Sequence, residues 1–430
     1  MQFPVSGRFV AFVLTIAIVL LAGCSGSPAP SQPPTATKLT PTATTEPIPS
    51  PTAAPTAPSQ APAATPVATI HLVAGGWRSL PDPASFRISS VASVVALPDG
   101  FMAVGCTAVA GPECDLPAVW TSPDLVAWLG PTLLPMAGDL GETSGSAWAV
   151  AGTPTGFAVG GQVRRGDRLQ AALWFSPDSR SFERVADDAS FADAAVVAMT
   201  TVGARFVAVG SDAYMEYFGF RAWSSDDGRA WVTRVAPVSE SAFPYELLAL
   251  QSGLVAWGSA CGVCPTESAW WRSEDGLAWT ATGNELPGYK AYATAVGESQ
   301  RGLVAFGTTG VDPVRPAAWS LADGADRWEP VQPPAQPEGT FISHYLLVGD
   351  VAVLAATSSG NPLSPTASPT GLVWLAGPGE DWRPAIQLPG IQVIGLLQDP
   401  ARVDRVVVVG RPSHGDPERF LWTGTVELAP

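Results

Sequence analysis

Trp148, Tyr245, Glu246, Tyr289, Lys290, Tyr292, His344 and Tyr345 stand near the starts of short apolar stretches, and the chemistry they offer is recognition. Aromatic rings with a few polar partners make a surface for a sugar or a peptide. Trp148, Tyr245, Tyr292 and Tyr345 precede Trp174, Trp271, Trp319 and Trp374 by 26, 26, 27 and 29 residues, which predicts four equivalent places. Tyr214 and Tyr217 are expected in a loop on the same side. The competing reading is that these rings plug a tunnel and pack loops. Nucleophilic and metal catalysis have little to stand on. His71, His344 and His414 are scattered, and there is no HExxH, phosphate-binding glycine loop or Gly-x-Ser-x-Gly elbow. No metal or cofactor is expected and no catalytic residue is identified. Two carboxylates from distant segments meeting at a centre remain open.

What would hold these residues is a repeat. Trp120, Trp174, Trp223, Trp271, Trp319, Trp374 and Trp422 follow one another at 54, 49, 48, 48, 55 and 48 residues. A fixed period of this size marks a repeat architecture. Upstream of each tryptophan lies a short apolar run closing in Gly or Ala: Gly100–Gly105, Gly156–Gly161, Arg205–Gly210, Gly253–Gly258, Gly302–Gly307, Asp350–Ala355 and Arg405–Gly410. Such runs fit strands buried on both faces. Another apolar stretch precedes each run, and a turn-rich segment follows each tryptophan (WTSPDLVAW, WFSPDSRSF, WSSDDGRAW, WRSEDGLAW). Four strands per unit, seven units and no long helix predict an all-β, seven-bladed β-propeller of four-stranded antiparallel blades over residues 69–430. The last unit runs out at Pro430, so His71–Trp77 is expected to complete it and close the ring, which removes two exposed edges. The alternative is that Val426–Leu428 forms the final strand itself. In such a ring the connections between blades and the loops between second and third strands share one face. The tryptophan-flanked turns lie on the other.

Those turns resemble the Asp-box, Ser-x-Asp-x-Gly-x-x-Trp, of sialidases and other propellers. Ser224, Asp226, Gly228 and Trp231 fit it; around Trp279, Gly276 is kept, with Arg272 and Glu274 in place of Ser and Asp. In that family the box is structural. Phe86-Arg87-Ile88-Ser89 is similar to the sialidase Phe-Arg-Ile-Pro segment, whose arginine helps bind the substrate carboxylate; here Ser89 replaces the proline. The resemblance implies Arg87 as a ligand contact, and leaves Tyr245-Glu246 available for the Tyr–Glu nucleophile pair of that family.

The ends and the composition give an address. Arg8 precedes an apolar run, Phe9–Ala22, of signal-peptide length. Leu21-Ala22-Gly23-Cys24 closely resembles a bacterial lipobox, which implies cleavage after residue 23 and lipid on Cys24. Residues 24–68 are rich in Pro, Thr, Ala and Ser and read as an unfolded, extended stalk. The formal charge is −15, with two lysines, Lys38 and Lys290. That excludes nucleic acid as an expected partner. Cys106 with Cys114 and Cys261 with Cys264 are predicted as local disulfides, consistent with an oxidising compartment.

The expectation is a monomeric, lipid-anchored protein on the outer side of the bacterial cytoplasmic membrane or the cell surface. It binds a glycan or an envelope protein on its loop face and is non-catalytic. The alternative is a sialidase-like glycoside hydrolase with its active site at the central opening.

Overall fold

The computed structural model describes residues 69–430 except 79–87, 98, 109–113, 213–218, 236–241, 260–267, 283–285, 311–314, 338, 359–368, 378–380, 401, 413–420 and 430. Arg87, Tyr214, Tyr217, Cys24, Cys261 and Cys264 therefore lie outside the described residues, as do the expected signal and stalk.

Strand β1 is Thr69–Arg78. Blade 1 is β2–β5 (Ile88–Leu97, Gly100–Ala108, Leu116–Ser122, Leu129–Leu133). Blade 2 is β6–β9 (Glu142–Thr153, Gly156–Arg165, Arg168–Ser176, Glu183–Arg184) and blade 3 is β10–β13 (Ala194–Val202, Arg205–Asp212, Phe220–Ser225, Val232–Val235). Blade 4 is β14–β17 (Phe243–Leu250, Gly253–Ser259, Ser268–Ser273, Thr280–Thr282) and blade 5 is β18–β21 (Tyr292–Ser299, Gly302–Thr309, Arg315–Ala322, Glu329–Val331). Blade 6 is β22–β25 (Thr340–Val348, Val351–Ser358, Thr370–Ala376, Arg383–Pro389). Blade 7 is β26–β28 (Ile391–Asp399, Arg402–Pro412, Leu421–Ala429) with β1 as its outer strand. The first strands of successive blades touch in cyclic order, β2 to β6 and so on to β26 and back to β2, so they line the axis of a seven-bladed β-propeller.

The ring closes as expected. Trp77 pairs with Trp422 and Ile70 with Leu428 in an antiparallel ladder. Val426–Leu428 is thus the end of the third strand, not a fourth. A second clasp sits beside the ladder. The carbonyl of Leu125, in the turn of blade 1, accepts from Arg78 Nε and from Thr423 Oγ1, both at 2.9 Å.

Trp120, Trp174, Trp223, Trp271 and Trp319 are fully buried, each wedged between its own blade and the preceding one. In blades 1–5 the tryptophan pairs with the second-strand residue two positions before the closing Gly, namely Ala103, Val159, Ala208, Ala256 and Ala305; in blade 6 it pairs with Leu354, one position before the closing Ala355. Trp422 breaks this register. It pairs with Gly410 itself, and Gly424 stands where the other blades hold tryptophan. The Trp422 ring lies over Gly424 and Gly75, where a Cβ would come within 2.2 and 2.6 Å of it. The seventh indole thus fills the same interblade space from a position displaced by two residues.

The turns after the tryptophans run one residue later than the sequence frame. Ser225 Oγ accepts from the Gly228 N–H at 2.8 Å, and Asp227 Oδ1 accepts from Arg229 and Ala230 at 2.8 and 2.7 Å. Ser122 and Asp124, Ser176 and Asp178, and Ser273 and Asp275 repeat the pattern. The reason is strand alternation. Ser224 faces away from the turn and accepts from Arg234 at 3.4 Å, while Asp226 reaches outward to Arg205 at 2.7 Å. Gly228 keeps its expected place with φ 75°, and its carbonyl accepts from Trp231 Nε1 at 2.9 Å. In blade 4 Gly276 has φ 76° and Trp279 is buried. Backbone N–H donors hold Asp124, Asp178, Asp227 and Asp275 below the usual carboxylate range. Cys106 and Cys114 form the predicted disulfide, with Cα atoms 5.4 Å apart.

Candidate functional site

Every innermost strand carries a one-residue bulge near its loop-face end. The unpaired residues are Ala92, Trp148, Val197, Tyr245, Thr294, Ser343 and Ile394. The closing glycine of the apolar run explains itself here. It pairs with the residue just before the bulge, whose strand is pushed onto it. A Cβ on Gly105, Gly161, Gly210, Gly258 or Gly307 would lie 1.9, 2.0, 1.8, 1.9 or 1.8 Å from an inner-strand carbonyl oxygen. Blade 6 accommodates Ala356 there.

Because a bulge puts two successive residues opposite one partner, it re-aims side chains at the axis. Tyr245 and Glu246 follow each other across the bulge of β14. Tyr292, at the start of β18 in the next blade, meets Tyr245 edge-to-face, with centroids 5.7 Å apart, and the two hydroxyls share a hydrogen bond. Phe243 extends the row at 5.4 Å from Tyr245. Glu246, on the inner strand β14, is exposed. It has two opposing environments, the water of the opening and the protein mass of the ring. Exclusion of bulk solvent by that mass wins and pushes the carboxyl up to about 7.

The position after the bulge holds Ser93, Ala149, Ala198, Glu246, Ala295, His344 and Gly395 around the ring. Only Glu246 and His344 are large. Burial pulls the His344 imidazole down to about 4, so it is neutral at pH 7. Its Nδ1 meets Ser343 Oγ at 2.8 Å, and the ring also donates to the backbone of Ile394 in the next blade. Thr294 makes the analogous bridge, donating to the carbonyl of Ile342.

The expected residues therefore divide. Tyr245 and Tyr292 meet on the inner strands of blades 4 and 5, with the exposed Glu246 next to Tyr245 on β14. Trp148 stands on blade 2, two blades before Tyr245, and His344 on blade 6, the blade next to that of Tyr292. Equivalence of the four aromatics fails: Trp148 and Tyr245 are both bulge residues, while Tyr292 lies two residues before a bulge and Tyr345 two after one. The tryptophan offsets drift because loops of different length intervene. Counted instead from the closing glycine, each of the first five bulges lies thirteen residues upstream (Gly105 to Ala92, Gly161 to Trp148, Gly258 to Tyr245), and the sixth, Ser343, lies thirteen before Ala356, the residue after Ala355. Tyr345 leaves the opening and stacks on Phe306 at 5.6 Å between blades 5 and 6. Tyr289, 71% exposed, lies in the connection between blades 4 and 5, and Lys290 Nζ sits 5.6 Å from its ring. That pair belongs to the rim.

The sequence reading missed Phe243, Thr294, Ser343 and Arg411. Arg411 follows the closing glycine of blade 7, where the other blades hold Cys106, Gln162, Ser211, Ser259, Thr308 and Thr357. A cation among small polar residues was the available signal. Its Nε donates to Gln392 Oε1 at 3.1 Å, and burial lowers its pKa. A separate charged cluster is internally neutralised: the inaccessible Glu142 carboxylate meets Arg184 at 3.2 Å and Arg165 at 3.7 Å, and Asp187 pairs with both arginines. Among the described residues, no group of three or more His, Cys, Asp and Glu is placed to hold a metal ion.

No family model and no curated protein matches this chain. Solved structures of similar fold do. A structure described as YCF48 bound to D1 peptide is 12% identical, with a TM-score of 0.51 over 83% of this chain and 97% of its own. A protein of unknown function from Dyadobacter fermentans is 13% identical, with a TM-score of 0.48 over 84% of this chain and 99% of its own. Trypanosoma rangeli sialidase in complex with sialic acid is 10% identical, with a TM-score of 0.48 over 84% of this chain and 59% of its own. At these identities the likeness is one of fold.

Proposed function

We propose that this chain is a lipid-anchored, extracytoplasmic β-propeller that binds a ligand at the central opening of its loop face and does no chemistry on it. The observation that carries the reading is the Tyr245–Tyr292 ring pair with Glu246 next to Tyr245 on β14. It offers aromatic edges and faces with an accessible carboxylate, built on rigid inner strands rather than on loops. The lipobox-like Leu21–Cys24 and the stalk of residues 24–68 support an anchored domain held away from the lipid surface. A peptide partner is favoured over a glycan, since an extended chain with side chains matches an opening ringed by small residues with a few large ones. The YCF48 structure of similar fold is one with a bound peptide.

The second reading is a sialidase-like glycoside hydrolase. Glu246 favours it in one respect: a carboxyl raised to about 7 is suited to general acid work. Hydrolysis of the two-carboxyl kind needs a second one across the scissile bond, a requirement from which sialidases, with their tyrosine nucleophile, are exempt. Among the described residues, the loop-face halves of the inner strands carry only Glu142 besides Glu246, and Glu142 is tied into its arginine cluster.

The test is a peptide array, a glycan array and a fluorogenic glycoside panel on the purified full chain. Saturable binding, weakened about tenfold or more by Tyr292→Ala, is expected. Turnover that disappears in Glu246→Ala would overturn the binding reading in favour of the hydrolase.

A further inference from the structure

We infer that the ligand group seated in the opening is a cation, an ammonium of the kind a lysyl side chain carries, held between the Glu246 carboxylate and the Tyr245–Tyr292 ring pair. This rests on the opening being the binding site, and deepens that reading by naming the chemistry.

Glu246, on the inner strand β14, is exposed, yet no hydrogen bond or ion pair engages it among the described residues, and its raised pKa has desolvation as its sole cause. Three candidate partners among the described residues are committed elsewhere. His344 is neutral and bonded to Ser343 and to the Ile394 backbone. Arg411, on blade 7, is held by Gln392. Lys290 sits at the rim against Tyr289. The other residues at the Glu246 level, Ser93, Ala149, Ala198, Ala295 and Gly395, are too small to reach across the axis.

A carboxylate without a counter-charge gains a charge-assisted partner from an incoming ammonium. The adjacent rings add to the same preference. The π face of a tyrosine attracts a cation, and Tyr245, beside Glu246 in the chain, places its ring 5.7 Å from that of Tyr292. The chain's formal charge of −15 draws cations toward it at long range. A neutral sugar would use Glu246 only as a hydrogen-bond acceptor and would leave the charge uncompensated.

The experiment is calorimetric titration of the full chain with four probes in two matched pairs. Nα-acetyl-lysine amide is set against Nα-acetyl-norleucine amide, and glucosamine against N-acetylglucosamine. The cationic member is expected to bind about tenfold or more tightly than its neutral partner, and Glu246→Gln to abolish that difference. Preference for the lysine probe over glucosamine identifies a protein side chain as the source; the reverse identifies an amino sugar. Thermal unfolding of Glu246→Gln, expected not to be lowered, shows that the variant is folded. Equal binding of charged and neutral probes, an unchanged preference in Glu246→Gln, or dissociation constants above about 10 mM for every cation overturns the inference. Failure here is separable from failure of the site. If an array ligand stays bound to Glu246→Gln but is released by Tyr292→Ala, the opening is still the site and the cation is wrong. If neither substitution matters, both are wrong.

Discussion

At the scale of the residue, Glu246 is where folding and function pull apart. Its carboxyl is displaced upward to about 7 from 4.5, so the native chain holds a proton that the unfolded chain gives up earlier. Stability is therefore lost as pH rises from about 4.5 through 7, and the cost is fully present above 7. Tyr292, on the next blade, does not interfere. Burial raises the Tyr292 phenol, which stays neutral throughout. Glu246→Gln is expected to raise the thermal midpoint at pH 8, by an amount equivalent to about 1 kcal/mol once screening by the water of the opening is allowed for, and to leave it unchanged at pH 4. Calorimetric melts of both proteins at the two pH values check this. A residue that costs stability at neutral pH while exposed on an inner strand is what a ligand contact looks like.

At the scale of the element, the unit that matters is the inner strand with its bulge and the second strand with its closing glycine. The bulge frees backbone groups that the blade's own ladder no longer satisfies, and side chains of the preceding blade reach over to meet them, as Thr294 and His344 do. The glycine is the other half of the device. Gly210→Ala would place a methyl 1.8 Å from the Ala195 carbonyl oxygen, and is expected to destabilise the chain by about 1–3 kcal/mol. Chemical denaturation compared with Ala208→Gly, two residues away on the same strand, separates this clash from general loss of packing. The motif GFMAVG and its relatives were legible as buried strands from composition alone. That their last residue answers to a bulge on another strand was not, because a bulge is a property of pairing and leaves no mark within either strand's own periodicity.

At the scale of the whole molecule, closure is the decisive step. The first and last strands, separated by almost the entire domain, share one ladder and the Leu125 clasp. A chain lacking residues 69–78 would expose the β28 edge and remove Arg78 from the clasp. It is expected to lose several kcal/mol and to associate through that edge. Size-exclusion chromatography and the sharpness of thermal unfolding report both effects; a monomer with an unchanged melt would show that the ladder is dispensable.

What the sequence by itself determined is the architecture. Blade number, strand count, the closing strand and the Cys106–Cys114 bridge all follow from local periodicity, turn chemistry and spacing, which are written in the order of the residues. It placed the Ser-x-Asp turns to within one residue, missing because alternation along a strand decides which serine faces inward. What only the tertiary structure decided is which side chains share a space. Trp422 fills the role of its six counterparts from two positions away, Tyr345 turns into a blade interface, and Tyr245 and Tyr292 meet edge-to-face across blades 4 and 5. Convergence at an axis depends on the bulge in each strand and on the twist of neighbouring blades, and both arise from contacts between residues far apart in the chain.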